Sequence, residues 1–322
     1  MRRSVPPNVF RRWCFVALAC AVLTPATVTW QGPKADASHA AALQIHFENR
    51  QKQSGVQFVL DNGTNAEKHI IDSVPGGVAL LDFDNDGYVD VFITTLSNEK
   101  YALYRNNGDL SFTYVTNTTG VGQITLLNAG WGARFVDVDN DGLRDLFVAQ
   151  SHVLDTVEKS TAYLKYKQPL LLMTNTGKGF ANVSATAGAA FNAPVAARGA
   201  AFGDLNNDGQ IDAVVNVLDD APVILRNGGT THHWIGIALS GTKSNRSGIG
   251  ARVTVTDVMG KKQIFDVGSA GSYLSSNDPR IVVGLGNAKG VRSIEVRWPS
   301  GKVQAIPAPA IDRYLQISEP RI

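Results

Sequence analysis

The chain has 322 residues, of which 44% are hydrophobic and 18% charged, and it contains 31 glycines. This composition is sufficient for a sizeable core in one or two domains and excludes a globally disordered chain. Residues 1–37 hold five of the 30 basic side chains and one of the 28 acidic ones, so the rest of the chain has a net charge of −2. Such a balance does not favour a nucleic-acid-binding protein.

Residues 1–37 have the organisation of a secretory signal peptide. Four arginines precede the apolar run at 14–23, and Ala35-Asp36-Ala37 offers a cleavage site, with a cut near Ala26 as the alternative. Ten helical residues rise about 15 Å, well short of the roughly 30 Å of a bilayer core. The sequence therefore predicts a secreted or periplasmic protein with no transmembrane anchor after signal cleavage. General secretion is favoured over a twin-arginine route through Arg11 and Arg12 or lipid attachment at Cys20, and these two alternatives stay open.

Both cysteines of the chain, Cys14 and Cys20, lie in this leader. The exported polypeptide would therefore contain no disulfide, no thiolate zinc site and no cysteine nucleophile. Another kind of cross-link is expected to reinforce the fold outside the cell.

An acidic motif, D-x-[DN]-x-D-G-x-x-D, occurs at residues 82–90, 137–145 and 204–212. Each copy follows a Gly-rich apolar stretch and precedes a run of β-branched or aromatic residues, which predicts a strand on either side. Asn-Gly-type turns follow within 103–112, 172–180 and 225–229 and predict hairpins. A unit of four short strands repeated about every 60 residues is typical of a β-propeller blade. The repeats stop near residue 230, which predicts a propeller-like domain at 38–230 and a second domain at 231–322.

The acidic motif has the ligands that calcium prefers. Oxygen-bearing side chains occupy positions one, three, five and nine, a backbone carbonyl is available at position seven, and the glycine at position six permits a sharp turn. The predicted ligands are Asp82, Asp84, Asp86, the carbonyl of Tyr88 and Asp90 in loop 1 (residues 82–90); Asp137, Asp139, Asp141, the carbonyl of Leu143 and Asp145 in loop 2 (137–145); and Asp204, Asn206, Asp208, the carbonyl of Gln210 and Asp212 in loop 3 (204–212). About three structural Ca²⁺ ions are expected, with the weakest site in loop 3 because Asn206 is neutral.

Two other interpretations of the motif are weaker. An EF-hand needs a glutamate at position twelve and a following helix, whereas position twelve here is Ile93, Val148 or Val215 within a strand-like run. Asp-Asn-Asp-Gly also favours an ordinary polar turn. However, two carboxylates about 5 Å apart repel by roughly 3 kcal/mol at an effective dielectric constant near 20, so three matched loops favour a bound cation.

The acidic loops and their Gly-rich flanks resemble FG-GAP/VCBS repeats. Residues 248–256, 271–286 and 296–304, the last around Trp298, resemble the ASPIC/UnbV domain. The combination is similar to the cartilage acidic protein family and its bacterial relatives. This resemblance implies an all-β fold, with calcium-bearing propeller blades followed by a small β-rich C-terminal domain, in a secreted protein that is not an enzyme.

Propellers of this family usually carry more than three repeats, and closed propellers need four to eight blades. The three loops therefore predict one of three arrangements. A degenerate blade lies in residues 38–75 or 151–195, the ring is open, or a partner completes it. The C-terminal domain is a candidate to cover an exposed edge.

The leading hypothesis for function is an exported, calcium-binding, non-catalytic module that binds a protein or glycan partner, as in adhesion. The alternatives are a polysaccharide-acting hydrolase or lyase on a propeller platform and a structural component of the cell envelope. The chain contains none of the G-x-S-x-G, H-E-x-x-H or phosphate-loop motifs. His232 and His233 are expected to point to opposite faces of a strand rather than bind one metal, and Trp298 and Tyr273 are expected to pack rather than stack on a sugar.

Overall fold

Short strands separated by turns make up most of the described chain. The computed structural model describes residues 45–54 and 77–321, so the predicted signal peptide lies outside the described residues. The strands are β1 Phe47–Asn49, β2 Val78–Leu81, β3 Asp90–Ile93, β4 Ala102–Asn106, β5 Phe112–Tyr114, β6 Gly130–Val136, β7 Asp145–Gln150, β8 Leu171–Asn175, β9 Phe180–Asn182, β10 Ala197–Gly203, β11 Asp212–Val217, β12 Val223–Asn227, β13 His233–Ser240, β14 Arg252–Asp257, β15 Lys262–Asp266, β16 Ile281–Gly286, β17 Val291–Arg297, β18 Val303–Pro307 and β19 Tyr314–Ser318. The helices are single short turns: α1 Gln51–Ser54, α2 Val121–Thr125, α3 Val157–Ser160, α4 Ala189–Asn192 and a 3₁₀ turn at Ser184–Thr186. The predicted all-β class is confirmed.

The strands form five sheets in a propeller-type arrangement. Three are antiparallel four-stranded blades with the strand orders β2-β3-β4-β5, β6-β7-β8-β9 and β10-β11-β12-β1. In each blade an acidic loop connects the first two strands, as the repeat predicts. The fourth strand of the third blade comes from the N-terminal side of the chain, because β1 pairs with β12 in the register Phe47 to Asn227.

The expected degenerate blade does not lie in residues 151–195. This segment contains α3, α4 and the strands β8 and β9, and the two strands complete the second blade by pairing outward from β7. Of the other candidate segment, 38–75, residues 47–49 supply β1 to the third blade. Residues 55–75 lie outside the described residues.

Glycines let the first strands of successive blades approach closely. A Cβ atom on Gly77 would lie 2.0 Å from the carbonyl oxygen of Trp131, and one on Gly132 would lie 2.7 Å from the backbone nitrogen of Ala200. Larger residues at these positions would push the blades apart. The Gly-rich stretch before each acidic loop is therefore needed for blade-to-blade packing.

The blades bury apolar side chains between them. Phe92 and Leu103 of the first blade pack with Leu146 and Val148 of the second. Strand β7 turns its other side chains, including Phe147, toward the core that the second and third blades share. Because β7 is covered on both faces, its sequence is a continuous apolar run rather than an alternating one.

The C-terminal region (residues 231–322) forms the other two sheets. Their strand orders are β16-β13-β19 and β15-β14-β17-β18, with β13 and β19 parallel. Between them lies a separate core that contains Ile235, Val253 and Trp298. The described residues of this region and of the three blades pack into one compact unit.

The helices of the described segments, 45–54 and 77–321, include none with the length and apolarity that crossing a bilayer requires.

Candidate metal loops

The three acidic loops share one hydrogen-bond pattern. In each loop the carboxylate at position one accepts the N–H groups of positions five and six, and the carboxylate at position five accepts the N–H group of position seven. The donor–acceptor distances are Asp86 N to Asp82 Oδ1 3.0 Å, Gly87 N to Asp82 Oδ2 2.8 Å and Tyr88 N to Asp86 Oδ1 2.9 Å in loop 1; 3.1, 2.9 and 2.7 Å for Asp141, Gly142 and Leu143 in loop 2; and 3.1, 2.7 and 3.0 Å for Asp208, Gly209 and Gln210 in loop 3. The repeated motif therefore folds into the same turn three times.

The aspartate at position nine ties each loop to its own blade. One oxygen of Asp145 accepts the N–H group of Val138 at 3.0 Å, and the other accepts that of Asn175, at the end of β8, at 2.8 Å. Asp90 and Asp212 accept the corresponding groups of their own blades at 2.8 to 2.9 Å. This residue has a structural role in addition to any role as a metal ligand.

Two residues in each loop have a left-handed backbone. Position four is asparagine in all three loops, with φ of 60° at Asn85, 61° at Asn140 and 61° at Asn207. The glycine at position six follows with φ between 81° and 96°. Asparagine and glycine are the residues that tolerate this conformation, so the loop sequence suits the tight wrap.

Loops 1 and 2 each gather three carboxylates. One oxygen from each of Asp82, Asp84 and Asp86 lies within 4.8 Å of the others, and the same holds for Asp137, Asp139 and Asp145. Either group could hold a metal ion. These are the groups of three acidic, histidine or cysteine side chains found among the described residues, and loop 3, with Asn206 at position three, is not one of them.

Burial makes the ionised form of these carboxylates unfavourable when no cation is bound. Asp137 is 4% exposed, and its burial, followed by the charges of Asp141 and Asp139, raises its pKa to about 8. Burial likewise raises the pKa of Asp90 to about 7 and that of Asp212 to about 6, although two backbone N–H groups lower each value. At 4.8 Å two ionised carboxylates repel by about 3 kcal/mol at an effective dielectric constant near 20. A bound divalent cation would remove this cost.

Two side-chain oxygens beside the loops have no hydrogen-bond donor. They are Oδ1 of Asn140, which is fully buried, and Oε1 of Gln210, which is 6% exposed. A buried acceptor without a donor is the kind of atom that a cation or an ordered water satisfies. The carboxylate and carbonyl oxygens of the loops are an oxygen-only donor set, which suits a hard cation such as Ca²⁺ rather than a transition metal.

A buried arginine lies next to loops 1 and 2. Arg144, at position eight of loop 2, is 4% exposed, and its guanidinium lies 4.1 Å from the centre of the Phe265 ring. Burial lowers its pKa, while the charges of Asp137, Asp82 and Asp145 raise it. Arg144 therefore neutralises part of the negative charge of both loops.

The C-terminal region packs directly on loop 2. Nζ of Lys261 donates to the carbonyl of Gly142 at 3.0 Å, and the N–H group of Gly286 donates to the carbonyl of Asn140 at 2.7 Å. A Cβ atom on Gly284 would lie 2.1 Å from Oδ2 of Asp137, so only glycine fits there. The second loop is covered by the C-terminal region, and its aspartates are buried for this reason.

In loop 3, hydroxyl, guanidinium and amide groups contact the candidate ligands Asp204 and Asp208. The Tyr314 hydroxyl donates to Oδ2 of Asp204 at 2.9 Å, and Nη2 of Arg280 donates to the Asp204 carbonyl at 2.7 Å. Arg226 lies 3.7 Å from Asp208, and Nδ2 of Asn206 donates to Asp208 at 2.7 Å. These contacts lower the negative charge available to an ion in this loop.

The structure also bears on the EF-hand alternative, the adjacent histidines and the two aromatic residues singled out in the sequence. Ile93, Val148 and Val215 lie in β3, β7 and β11, so the loops are not EF-hands. Nδ1 of His232 lies 2.8 Å from the Asp139 carbonyl, whereas Nδ1 of His233 lies 2.8 Å from Oδ2 of Asp312, so the two histidines face different partners. Trp298 is 1% exposed and belongs to the C-terminal core, and Tyr273 packs edge-on against Trp131 at 5.1 Å.

Comparison with protein families matches both parts of the chain. Residues 82–148 match the family model described as FG-GAP-like repeat, and residues 241–322 match the one described as ASPIC and UnbV. The chain is an FG-GAP repeat protein with a C-terminal ASPIC/UnbV domain. Among curated proteins no match was found. The FG-GAP match contains loops 1 and 2, and the ASPIC/UnbV match contains the lysine, glycine and arginine residues that contact loops 2 and 3.

Sequence reasoning missed the asparagines that connect the loops of this FG-GAP repeat protein. Nδ2 of Asn175 donates to the Phe83 carbonyl in loop 1 at 3.0 Å, and Nδ2 of Asn227 donates to the Val138 carbonyl in loop 2 at 2.7 Å. The sequence pattern marks both residues only as part of a hairpin turn. The available signals were the glycine that follows each of these asparagines two residues later and the constant asparagine at position four.

Proposed function

We propose that the FG-GAP blades bind Ca²⁺ in their acidic loops and that the protein is an exported, non-catalytic module for binding a protein or glycan partner. The observation that supports calcium most strongly is the convergence of three carboxylates within 4.8 Å in loops 1 and 2, with Asp137 and Asp139 buried. In this proposal the ions stabilise the blades. The blades and the ASPIC/UnbV domain then form a rigid platform for the partner.

The residues fit a calcium ion in charge, chemistry and number. Loops 1 and 2 each supply four carboxylates and loop 3 supplies three, besides Asn206 and a backbone carbonyl at position seven. Ca²⁺ takes six to eight oxygen ligands, whereas Mg²⁺ keeps several waters and suits a many-carboxylate loop less well. The ions would replace the cross-linking role of disulfides, because a chain cleaved after the leader has no cysteine.

Elemental analysis and thermal unfolding test the calcium proposal. We expect two to three calcium ions per chain in purified residues 38–322, and we expect chelation to lower the melting temperature by about 10 °C or more. The Asp220→Ala variant is the control, because Asp220 is exposed and lies outside the loops. A metal-free protein with one melting temperature in calcium and in chelator would contradict the proposal.

A glycan array and immobilised candidate proteins, probed with and without chelator, test the binding role. The proposal predicts saturable binding without turnover, and predicts that chelation abolishes it. Binding that persists in chelator would separate the partner site from the calcium loops. Turnover of a bound polysaccharide would favour the hydrolase or lyase instead.

Two surface pockets among the described residues of the C-terminal region bear on the enzyme alternative. One, of about 400 Å³, contains Glu319. Burial raises the pKa of Glu319, but the hydrogen bonds from Ser300 and from the backbone of Thr242–Ser244 lower it by more, so the pKa lies below its ordinary value. The other, of about 430 Å³, contains Asp278, which is paired with Arg280 at 2.6 Å. A glycosidase needs two free carboxylates about 5–10 Å apart. Neither of these two pockets offers such a pair.

A further inference from the structure

A hydrogen bond connects each acidic loop to the next one along the chain. Nδ2 of Asn85 in loop 1 donates to the carbonyl of Gly142 in loop 2 at 3.3 Å, and Nδ2 of Asn140 in loop 2 donates to the carbonyl of Gly209 in loop 3 at 3.0 Å. The donor is at position four in both cases, and the acceptor is at position six. Since neither position supplies an expected metal ligand, these bonds connect loops rather than complete a site.

The third loop is hydrogen-bonded to the C-terminal region through its own position-four residue. Oδ1 of Asn207, the position-four residue of loop 3, accepts from Nη1 of Arg280. Nη2 of the same arginine donates to the carbonyl of Asp204, and the guanidinium lies 4.8 Å from the ring centre of Tyr314. Arg280 therefore takes the place that a fourth loop would have.

The close packing of the first strands follows the same order. Gly77 meets Trp131 of the second blade and Gly132 meets Ala200 of the third, and a Cβ atom on Gly199 of the third blade would lie 2.7 Å from Oγ of Ser275. The N–H group of Asp278 also donates to the Phe202 carbonyl in β10 at 3.0 Å. Residues 273–278 thus lie beside the third blade as the first strand of another blade would.

The connecting hydrogen bonds join residues that lie between predicted metal ligands. Asn140 lies between the predicted ligands Asp139 and Asp141, and its acceptor Gly209 lies between the predicted ligands Asp208 and Gln210. Asn140 is fully buried, so water does not readily replace its bond. An ion that fixes one loop therefore positions the donor that holds the turn of the next, and thermodynamic linkage makes the effect reciprocal.

We propose that the loops bind calcium cooperatively because Asn85 and Asn140 connect them in a row. Arg280 then couples ion binding in loop 3 to the ASPIC/UnbV domain. The inference rests on the proposed calcium binding. It assigns these three residues a positioning role and gives the C-terminal region the role of a terminal blade that responds to calcium.

Hydrogen exchange of residues 38–322, followed by mass spectrometry during a calcium titration, tests the link between loops 1 and 2. Loop 1 is weakened with the isosteric pair Asp84→Asn and Asp86→Asn, and protection is read at residues 137–145. With Asn85 present, we expect this change to raise the calcium concentration for half-protection of loop 2 by about 5-fold or more. In the Asn85→Gly background we expect a change of less than about 2-fold, because the connecting bond is already absent.

Glycine is the chosen replacement because it accepts the left-handed backbone of position four. Asn98→Gly is the matched control, since Asn98 is exposed, has φ of 70° and lies outside the loops. Asn140→Gly gives an independent test of the link between loops 2 and 3, read at residues 204–212. A shift of equal size with and without Asn85, or no shift in either, would overturn the inference alone. A lack of calcium-dependent protection in every loop would overturn the proposed calcium binding as well.

The Arg280→Gln variant tests the last step of the row. In the unaltered protein we expect residues 312–318 to gain protection at the same calcium concentration as loop 3. In Arg280→Gln that calcium dependence is expected to disappear while loops 1 and 2 still respond. Arg252→Gln is the control within the same region, because Arg252 pairs with the exposed Asp266 at 2.8 Å. Unchanged calcium-dependent protection of residues 312–318 in Arg280→Gln would show that Arg280 is not the connection.

Discussion

Loops 1 and 2 have the same motif and the same internal hydrogen bonds, but different surroundings. At position three Asp84 of loop 1 is exposed, whereas Asp139 of loop 2 is 2% exposed, and at position five Asp86 is exposed, whereas Asp141 is half-buried. The aspartates at position one are buried in both loops. The difference comes from the C-terminal region, which places Lys261, Gln263 and Gly284 around Gly142 of loop 2. Around Gly87 of loop 1 it places only the end of the Ile264 side chain, at 3.7 Å from an added Cβ atom.

The two loops have equivalent candidate ligands but differ in the free-energy cost of burying them. The motif gives both loops four carboxylates, but burial decides how unfavourable these carboxylates are when no cation is present. We therefore expect loop 2 to contribute more to calcium-dependent stability than loop 1. Substitutions in the loops and changes of pH test this ranking.

Asp145→Ala should destabilise the protein more than any change at position five. It removes a carboxylate and leaves the backbone N–H groups of Val138 and Asn175 without their acceptor, with an expected loss of about 4 kcal/mol in calcium. Part of the loss should persist in chelator, because those N–H groups stay buried whether or not an ion is bound. Urea unfolding in both conditions measures it. Asp90→Ala in loop 1 is the comparison, and an equal or larger loss there would reverse the ranking.

Asp141→Ala should lower stability mainly when calcium is present. Loss of one ion at a concentration of 100 times its Kd removes about 2.7 kcal/mol of stabilisation. The same change at Asp86 in loop 1 should cost less, and both effects should largely vanish in excess chelator. Melting temperatures with and without chelator measure the two losses. Equal losses in the two conditions would contradict the assignment of these residues as calcium ligands.

The metal-free protein should lose stability as the pH rises. The pKa of Asp137 in the folded chain is about 8 and that of Asp90 about 7, both above the ordinary value of 3.8. A raised pKa contributes stability that is complete below about pH 4 and is lost as the pH rises through the folded value. In chelator we expect the free energy of unfolding to fall between pH 5 and 8 by more than about 1 kcal/mol.

Calcium should reverse this pH dependence, because protons compete with the ion for the same carboxylates. Stabilisation by calcium is therefore expected to grow as the pH rises from 5 to 8. Urea unfolding at four pH values, in chelator and in calcium, gives both curves. Two curves with the same slope would show that these aspartates do not bind the ion.

Asn206→Asp should produce the smallest of these effects, and it tests how tightly loop 3 binds calcium relative to loops 1 and 2. The change restores the fourth carboxylate that loops 1 and 2 have, so calcium should bind loop 3 several-fold more tightly. Arg226, 3.7 Å from Asp208, and Arg280 offset part of the added charge and limit the gain. Calorimetric titration measures the affinity. An unchanged titration would indicate that loop 3 holds no ion and serves to attach the C-terminal region.

The repeat could be predicted from the sequence because it depends on local chemistry. Position-six glycines with positive φ, the flanking β-branched runs and the Asn-Gly hairpins all act within one blade, so their spacing is visible along the chain. The origin of β1 was not predictable in this way. Its pairing with β12 joins residues 47–49 to residues 225–227, and three residues carry too little pattern to reveal a partner so distant in sequence.

The four-strand unit, the three acidic loops and the candidate metal ligands could be predicted from the amino-acid sequence, because turn geometry and ligand chemistry are encoded within nine consecutive residues. Which of these acids are buried, and which residues connect one loop to the next, depends on how the chain folds in three dimensions. Asn140 and Gly209 are 69 positions apart, and Arg280 and Asp204 are 76 apart. Burial and charge at a site depend on every segment packed around it, and no local pattern records which segments those are.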